Sequence, residues 1–214
     1  MEFHDLRRDY QGSALDIRQM LDEPISQFLL WFREALQANP ADWFEPNAMT
    51  LATADREGRV SARVVLLKQV SEDGFAFFTN YESAKAQQIS VNPYGALVFY
   101  WPYDARQVRV EGVIKKTEDT ISDTYFHARP RESQLGAIVS PQSREIESVE
   151  ELVQRAEQLK MEYADREIPR PPYWGGYVLC PKRVEFWQGR PSRLHDRVLY
   201  YLDGDRWERR RLAP

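Results

Sequence analysis

The sequence of 214 residues contains one cysteine and three histidines, which limits the redox and metal chemistry open to it. The single thiol, Cys180, cannot form an internal disulfide, and it lies in an apolar run where a buried, inert thiol is expected. His4, His127 and His195 share no metal-ligand spacing with it, and neither a His-Glu-x-x-His nor a paired-cysteine motif occurs. We therefore expect no bound metal and no catalytic cysteine.

Long apolar runs and an excess of positive charge are also missing. No stretch of about 18 apolar residues occurs, and the first residues lack the basic and then apolar order of a signal peptide. The net charge of -4 creates no global positive field for a nucleic-acid backbone or an anionic membrane. One run of three arginines, 209–211, follows Trp207 and is more simply a solvated strand end. These features predict a cytoplasmic protein without nucleic-acid or membrane partners.

Glycine-rich nucleotide-binding loops are absent as well, since neither G-x-G-x-x-G nor G-x-x-x-x-G-K-[ST] occurs. No glycine loop can therefore cradle a phosphate at the start of a helix. Any phosphate must be held by basic and hydroxyl side chains, whose charge-assisted hydrogen bonds contribute about 1.5 to 3 kcal/mol each.

The composition, 43% hydrophobic and 29% charged, is that of a folded globular protein. Residues 1–23 are polar and irregular and predict an extended arm or short helix, with disorder as the simpler alternative. Helical spacing of apolar residues then predicts a helix from Pro24 to a stop at Asn39-Pro40. From residue 48 the pattern becomes β-rich, and hairpin loops such as Asp55-Arg56-Glu57-Gly58 indicate antiparallel pairing. The predicted strands are 48–54, 60–68, 75–79, 96–101 and 107–115.

Helices are predicted at 83–91, capped by Ser83, and in the middle of the chain at 118–127, 132–138 and 149–163. Ser148-x-x-Glu151 forms a capping box for the last one, whose apolar stripe predicts a core face. That stripe is Val149, Leu152, Val153, Ala156 and Leu159. Final strands are predicted at 176–179, 183–188, 198–202 and 206–212. The class is α+β around an antiparallel barrel, with an arm at 1–23 and a single domain at 24–214.

Two basic residues, Arg63 and Lys68, bracket four apolar ones, Val64, Val65, Leu66 and Leu67. Strand alternation places the two cations on opposite faces unless the strand bulges, so they would serve different ligands. A buried strand with solvated ends explains the same pattern.

Tyr125, Arg129 and Ser133 follow one another at steps of four residues. Pro130 should end the first helix there, although Tyr125 and Arg129 can still share a face. A solvated helix end is the alternative interpretation.

A third pattern lies near the C-terminus, in Arg193-Leu194-His195-Asp196-Arg197. Its three basic residues alternate with others, so an extended chain would project them to one side. Trp187, just before this segment, could support a planar cofactor or belong to an ordinary core.

These residues belong to a set of motifs that resembles the pyridoxamine 5'-phosphate oxidase family, the FMN-dependent enzymes that make pyridoxal 5'-phosphate. The resemblance covers nearly everything after about Pro24. Its motifs are Arg63-Val64-Val65-Leu66-Leu67-Lys68, Phe78-Thr79-Asn80, Tyr125-Phe126-His127-Ala128-Arg129-Pro130-Arg131, Trp174-Gly175-Gly176, Glu185-Phe186-Trp187-Gln188-Gly189 and Arg193-Leu194-His195-Asp196-Arg197. It implies an antiparallel split β-barrel with surrounding helices, forming a homodimer with FMN at the subunit interface.

The resemblance also implies roles for individual residues. FMN would be bound by the segment Arg63, Val64, Val65, Leu66, Leu67 and Lys68. Its phosphate end would meet Arg63, Lys85, Gln142 and Ser143, and its ring and ribityl chain would meet Phe78, Thr79, Gln107, Trp187 and Arg197. The substrate phosphate would meet Lys68, Tyr125, Arg129 and Ser133. Arg193 and His195, the implied catalytic residues, would hold the pyridine ring with Leu194 between them, under a lid carrying Arg7 and Tyr10. One position departs from the family pattern, which usually has arginine where this chain has Ala84.

The activity that the resemblance implies is oxidation of pyridoxine 5'-phosphate and pyridoxamine 5'-phosphate to pyridoxal 5'-phosphate. Hydride would pass from the 4'-carbon to FMN, and dioxygen would reoxidise the flavin, releasing hydrogen peroxide, with ammonia from the amine. His195 would orient the substrate rather than move a proton. Two alternatives are a split-barrel protein that binds FMN or pyridoxal 5'-phosphate without catalysis, and a flavin reductase.

Overall fold

The computed structural model describes residues 4, 10, 12, 14–38 and 41–214, and within them the chain forms five α-helices and nine β-strands. The helices are α1 (Pro24–Gln37), α2 (Ala84–Val91), α3 (Asp119–Ala128), α4 (Arg131–Val139) and α5 (Val149–Glu162). The strands are β1 (Ala48–Ala54), β2 (Val60–Leu66), β3 (Gln69–Ser71), β4 (Gly74–Asn80), β5 (Tyr94–Trp101), β6 (Arg106–Lys116), β7 (Trp174–Gln188), β8 (Asp196–Asp203) and β9 (Arg206–Leu212). Two 3-10 turns lie at Ile17–Gln19 and Pro191–Arg193.

Helix α1 begins at Pro24, as predicted, because the missing N–H of proline needs no partner in the first helical turn. Its buried face carries Phe28 and Trp31 into the main core. The helix runs to Gln37, and the predicted stop at residues 39–40 lies outside the described part of the chain.

Two serines occupy the predicted N-cap positions of α2 and α5, but only one caps with its side chain. Ser148 Oγ accepts a hydrogen bond from the Glu151 amide at 3.3 Å, which is one half of a capping box. Ser83 makes no such bond, and its Oγ instead accepts from Lys85 Nζ at 3.3 Å. The predicted side-chain cap at Ser83 was wrong, because the buried ammonium of Lys85 takes the hydroxyl as an acceptor.

The predicted core face of α5 is buried only near the C-terminal end of the helix. Leu159 is 3% exposed, whereas Val149 and Val153 are 62% and 56% exposed. Leu152 and Ala156 are half-buried. The prediction of a continuous core face was therefore wrong, since α4, with nine residues, is too short to cover all fourteen residues of α5.

The strands form one antiparallel sheet in the order β2-β1-β5-β6-β7-β4-β3, with β8 and β9 attached through β7. Strand β7 pairs with β6 along nearly its whole length, with β4 through residues 174–179, and with β8 through residues 183–188. The two strands predicted on either side of Pro181 are thus one strand. Pro181 is tolerated because the β6–β7 register shifts between Glu111 and Gly112, where a Cβ on Gly112 would lie 2.0 Å from the Cys180 carbonyl oxygen.

The sheet curls, so that the end of β2 returns to β4. The Lys68 amide, two residues after β2, donates to the Ala76 carbonyl at 2.9 Å. The concave side holds the main core around Phe28, Phe77 and Phe99, all with 0% exposure. A second core, around Phe126 and Leu135, joins α3, α4 and α5. The predicted α+β class, an antiparallel split β-barrel with surrounding helices, is confirmed.

The helices are short compared with a membrane span. The longest helices in the described ranges have 14 residues, and none of them is long and apolar enough to cross a membrane.

Candidate active site

A cavity of about 700 Å³ opens between the end of β2, the start of α2 and the junction of α3 and α4. It brings together segments that are far apart in the sequence. Thirteen of its lining residues were predicted to bind cofactor or substrate: Arg63, Val64, Val65, Leu66, Lys68, Phe78, Thr79, Lys85, Tyr125, Arg129, Ser133, Gln142 and Ser143. Ala84, Pro130 and Trp174 complete the wall, while Leu67 is buried in the main core. We take this cavity as the candidate active site.

Lys85 is the most buried cation of the cavity, with 8% exposure. Its Nζ donates to Thr79 Oγ1 at 3.1 Å, to Ser83 Oγ at 3.3 Å and to Gln142 Oε1 at 2.8 Å. Burial, and then the charge of Arg63, lower the pKa of Lys85 to about 8. An ammonium that is out of water and held only by neutral oxygens gains strongly from a nearby anion.

Arg63 is the second cation at the same end of the cavity. One guanidinium nitrogen donates to the Leu51 carbonyl at 3.3 Å and to Thr53 Oγ1 at 2.6 Å, and the other donates to Gln88 Oε1 at 3.4 Å. Among the described residues no carboxylate pairs with it, and burial lowers its pKa. We call the pair Arg63 and Lys85 the first cationic end.

Arg129 marks a second cationic end, together with Lys68. One of its guanidinium nitrogens is buried and has no hydrogen-bond partner within the described ranges. Burial lowers the pKa of Arg129, an effect that Tyr125 partly offsets. Ser133 lies in the first turn of α4, where the positive end of the helix dipole favours an anion. Because a buried unpaired donor costs about 1 to 3 kcal/mol, Arg129 is poised for a ligand.

Three stacked aromatic rings form a wall beside Arg129. The centroids of Phe78 and Tyr125 are 4.0 Å apart, and Trp174 lies 5.7 Å from Phe78. The Arg129 guanidinium carbon lies 4.7 Å from the centre of the Trp174 ring. The wall holds the guanidinium in place and gives its buried nitrogen no hydrogen-bond partner among the residues that the structure describes.

Arg63 and Lys68 line the same cavity, although alternation predicted opposite faces for them. That prediction was wrong because β2 ends at Leu66, so Lys68 lies beyond the last residue to which alternation applies.

The predicted residues near the C-terminus form a separate group. Gln107, Trp187 and Arg197 are direct register partners on β6, β7 and β8, so their side chains share one face of the sheet. Arg197 is fixed on this face by Glu185, which is 4% exposed. Arg197 Nε donates to Glu185 Oε1 at 2.8 Å, and a terminal nitrogen donates to Oε2 at 3.2 Å. This row presents an aromatic surface flanked by an amide and a cation.

The segment from Arg193 to Arg197 is not the extended row of basic side chains that alternation predicted. Residues 191–193 form a 3-10 turn in which Ser192 and Arg193 have φ of 55° and 60°. That prediction was wrong because only the last part of the segment, from Asp196, belongs to a strand. The turn leaves Arg193 and Leu194 exposed, with Leu194 at 70%.

His195 lies between the arm and the aromatic row. Its ring centroid is 4.7 Å from that of Trp187 and 5.7 Å from that of Tyr10. The Arg190 amide donates to His195 Nδ1 at 3.1 Å, so the proton of the neutral ring lies on Nε2. Arg7, the other predicted lid residue, lies outside the described residues.

The structure therefore divides the predicted site in two. Seven of the predicted residues that the structure describes do not line the 700 Å³ cavity, and we call them the C-terminal group. They are Tyr10, Gln107, Trp187, Arg193, Leu194, His195 and Arg197.

Several supporting residues were missed. Trp174 was seen only as part of a motif, and Glu185 carried no predicted role. Thr53 could have been found, because it is a polar residue on the buried face of β1, two positions after Leu51. Gln88 gave no local signal, since its role depends on α2 packing against β1 and β2.

Family models match two consecutive parts of the chain. A model described as "Pyridoxamine 5'-phosphate oxidase" matches residues 32–163, and one described as "Pyridoxine 5'-phosphate oxidase C-terminal dimerisation region" matches residues 174–214. The chain belongs to the pyridoxamine 5'-phosphate oxidase family. The second match contains most of the C-terminal group, and the first contains nearly all of the cavity lining.

Curated members of the pyridoxamine 5'-phosphate oxidase family align with almost the whole chain. A protein of Cyanothece sp. named pyridoxine/pyridoxamine 5'-phosphate oxidase is 50% identical over 210 residues, covering 98% of this chain and 97% of the relative. The protein of the same name from Rubrobacter xylanophilus is 52% identical over 209 residues, with coverage of 98% and 95%.

Solved structures share the fold. PhzG from Burkholderia lata 383, in complex with tetrahydrophenazine-1-carboxylic acid, superimposes with a TM-score of 0.89 at 29% identity, covering 95% of this chain and all of that one. A pyridoxamine 5'-phosphate oxidase-related, FMN binding protein from Nostoc punctiforme has a TM-score of 0.69 at 20% identity, with coverage of 86% and 95%.

Proposed function

We propose that this chain is an FMN-dependent oxidase that converts pyridoxamine 5'-phosphate and pyridoxine 5'-phosphate to pyridoxal 5'-phosphate, with dioxygen as electron acceptor. The observation that carries the proposal is the presence of two cationic ends in one cavity. Neither end is neutralised by a carboxylate among the described residues, so the cavity suits two phosphorylated molecules bound side by side. The names of the full-length relatives agree with this pair of ligands.

The first cationic end fits the phosphate of FMN. Arg63 and Lys85 supply charge there, Thr79 and Gln142 supply neutral polar groups, and Ser143 lies beside them. When bound, FMN would supply the redox chemistry by accepting a hydride and passing its electrons to dioxygen. The protein supplies the binding, orientation and electrostatics.

The second cationic end fits the phosphate of the substrate. Arg129 offers a buried donor that lacks a partner in the described part of the chain, and Tyr125, Ser133 and Lys68 line the same cavity. Anchoring the phosphate here would fix the distance from substrate to flavin, which is the kind of positioning that accelerates a reaction. The pyridine ring would meet Arg193 and His195, with His195 Nε2 free to donate a hydrogen bond.

We further propose that each complete site draws on two subunits, with FMN at their interface. The C-terminal group does not line the cavity of its own chain, and a second copy would bring its Gln107, Trp187 and Arg197 to the flavin. Two features support this arrangement: the match of residues 174–214 to a dimerisation region, and the exposed side chains of Val64 on β2 and Tyr100 on β5. Residues 24–214 would form the single FMN-binding domain, and residues 1–23 the lid.

An anaerobic titration tests the proposed reaction. Purified protein should be yellow, and adding pyridoxamine 5'-phosphate without oxygen should bleach the flavin absorbance near full stoichiometry. Readmitting air should restore the colour and release hydrogen peroxide. Complex formation without bleaching would instead indicate a binding protein, and bleaching only by a reduced nicotinamide would indicate a flavin reductase.

A further inference from the structure

The carboxylate of Asp196, on β8, links the described part of the N-terminal arm to the C-terminal strands. Its Oδ2 accepts a hydrogen bond from the Leu15 amide at 3.0 Å and lies 3.6 Å from Arg190 Nε. Its Oδ1 accepts from the Arg211 guanidinium at 2.9 Å. The side chain of Asp196 is 19% exposed, so these contacts are partly shielded from water.

The two arginines bound by Asp196 each reach the backbone of the arm. Arg190 donates to the Gly12 carbonyl at 3.0 Å, and Arg211 donates to the Leu15 carbonyl at 2.6 Å. Asp196 therefore binds the arm once directly and twice through guanidinium groups that it orients. We call Asp196, Arg190 and Arg211 the arm clamp.

Two glycines fix where the arm lies. A Cβ on Gly12 would be 2.4 Å from the Gly189 carbonyl oxygen, and a Cβ on Gly189 would be 2.7 Å from the Tyr10 ring. The backbones are thus in direct contact, and the Tyr10 ring meets Trp187 edge-on with centroids 5.5 Å apart. The packing of Gly12 against Gly189 therefore also fixes where Tyr10 lies, two residues earlier in the arm.

We infer that Asp196 is a positioning residue for the reaction, acting through the arm clamp to place Tyr10 beside His195 and Trp187. The inference rests on the proposed function, in which His195 contacts the substrate and Tyr10 belongs to the lid over it. Without the clamp the arm must be ordered each time a substrate binds, and the entropy of that ordering weakens binding without changing the chemical step. Strand β9, which carries Arg211, also carries Arg209, whose guanidinium donates to the Leu21 carbonyl at 3.0 Å. Two arginines of the 209–211 run therefore hold the arm.

The test compares Asp196→Ala and Asp196→Asn with Asp55→Asn. Asp55 is a control of the same kind, because its carboxylate, like that of Asp196, accepts from backbone N–H groups and pairs with an arginine. Its partners are the amides of Glu57 and Arg59 and the Arg59 guanidinium, in the hairpin of β1 and β2. Asp196→Ala should raise the Michaelis constant for pyridoxamine 5'-phosphate by about three- to tenfold, with turnover number and FMN affinity within about twofold of the parent. Asp196→Asn, which keeps one acceptor for the Leu15 amide, should give a smaller change, and Asp55→Asn none.

Hydrogen exchange gives a readout that needs no turnover. Peptides covering residues 14–21 should exchange faster in Asp196→Ala than in the parent protein. If Asp196→Ala fails to fold, Arg211→Gln should show the same faster exchange. In a Tyr10→Ala background, Asp196→Ala should leave the Michaelis constant unchanged while still speeding exchange. Unchanged exchange in the arm would overturn the inference, as would a loss confined to turnover number. If the parent protein oxidises neither phosphorylated vitamer but the arm still loosens, the proposed function fails and the clamp stands.

Discussion

Glu185 holds Arg197 through two parallel hydrogen bonds, of 2.8 and 3.2 Å, and a second arginine, Arg109, lies 3.5 Å from the same carboxylate. The carboxylate has 5% side-chain exposure, whereas the two arginines have 27% and 38%. The burial is therefore unequal: the anion depends on its partners, and the cations still reach water. This pair keeps a cation in the row that contains Trp187.

Removing either partner should destabilise the protein, but by different amounts. Arg197→Met leaves a buried carboxylate with a single, longer contact and should lower the free energy of unfolding by about 2 to 3 kcal/mol. Glu185→Gln leaves partly solvated guanidinium groups, so its loss in the free energy of unfolding should be about 1 kcal/mol smaller than that of Arg197→Met. Urea denaturation of the two variants without FMN measures which of them is less stable. A larger loss of unfolding free energy in Glu185→Gln than in Arg197→Met would contradict the prediction.

FMN affinity should depend on pH through Lys85. Its pKa is lowered from 10.5 to about 8, so below pH 8 the free protein already carries the charge that a phosphate needs. Above pH 8 binding must recapture a proton, and the affinity should fall by up to about tenfold per pH unit. Fluorescence titrations with FMN at pH 7, 8 and 9 at constant ionic strength measure this. Lys85→Met should bind weakly and lack the decline, and equal slopes in both proteins would refute the assignment.

The same shift sets a stability effect in the FMN-free protein. The unfolded chain holds the Lys85 proton up to about pH 10.5, whereas the folded chain releases it from about pH 8. The unfolded state therefore binds more protons in this window, and the contribution of Lys85 to stability becomes more favourable as the pH rises from 8 to 10.5.

Ala84 leaves room for another cation at the first cationic end. Ala84→Arg should tighten FMN binding by about tenfold, since one added charge-assisted hydrogen bond contributes about 1.5 to 3 kcal/mol before side-chain ordering is counted. The nearby carboxylate of Glu82 already pairs with Arg144 at 2.6 Å, which leaves the new guanidinium to the phosphate. Ala84→Met is the control of similar length, and equal affinities in the two variants would sink the prediction.

Arg129 should trade stability for substrate binding. In Arg129→Met the buried unpaired donor is lost, so the free energy of unfolding of the ligand-free protein should rise by about 1 kcal/mol. The Michaelis constant should rise by about 10- to 100-fold with little change in turnover number, because a phosphate contact is kept from ground state to transition state. Arg131→Met is the matched control, since Arg131 binds the carbonyls of Tyr163 and Arg166 and its loss should only destabilise. A lower turnover number alone in Arg129→Met would be inconsistent with this role.

Local patterns predicted the strands and helices well, because period and turn residues are properties of neighbouring positions. β1 and β9 have their predicted bounds, and the helix starting at Pro24 follows from its proline. Local patterns failed where contacts between distant parts of the chain determine the structure. Strand β7, for example, continues through Pro181 because β6 shifts register beside it. Thirteen of the residues to which the resemblance assigned ligand binding line one cavity. The ion pair of Glu185 and the clamp of Asp196 were not predicted, because they depend on strands far apart in the sequence.

The left-handed turn at Ser192 and Arg193 had no sequence signal, since neither residue is glycine. Such backbone costs about 1 to 3 kcal/mol per residue and is kept where the surrounding structure requires it. The turn exposes Arg193, whose guanidinium has no hydrogen bond or ion pair with the part of the chain that the structure describes. It is therefore free to meet a substrate.

Arg193→Ala should lower turnover by about 100-fold while FMN stays bound, because the lost group is proposed to position the substrate and does not line the 700 Å³ cavity. Arg193→Gly should be as inactive as Arg193→Ala, but its free energy of unfolding should be about 1 kcal/mol higher than that of Arg193→Ala, since glycine adopts a positive φ without strain. Stopped-flow flavin reduction separates the reaction step from binding, and urea denaturation measures stability. Equal stability of the alanine and glycine variants would show that the turn is unstrained, and full turnover in either would remove Arg193 from the site.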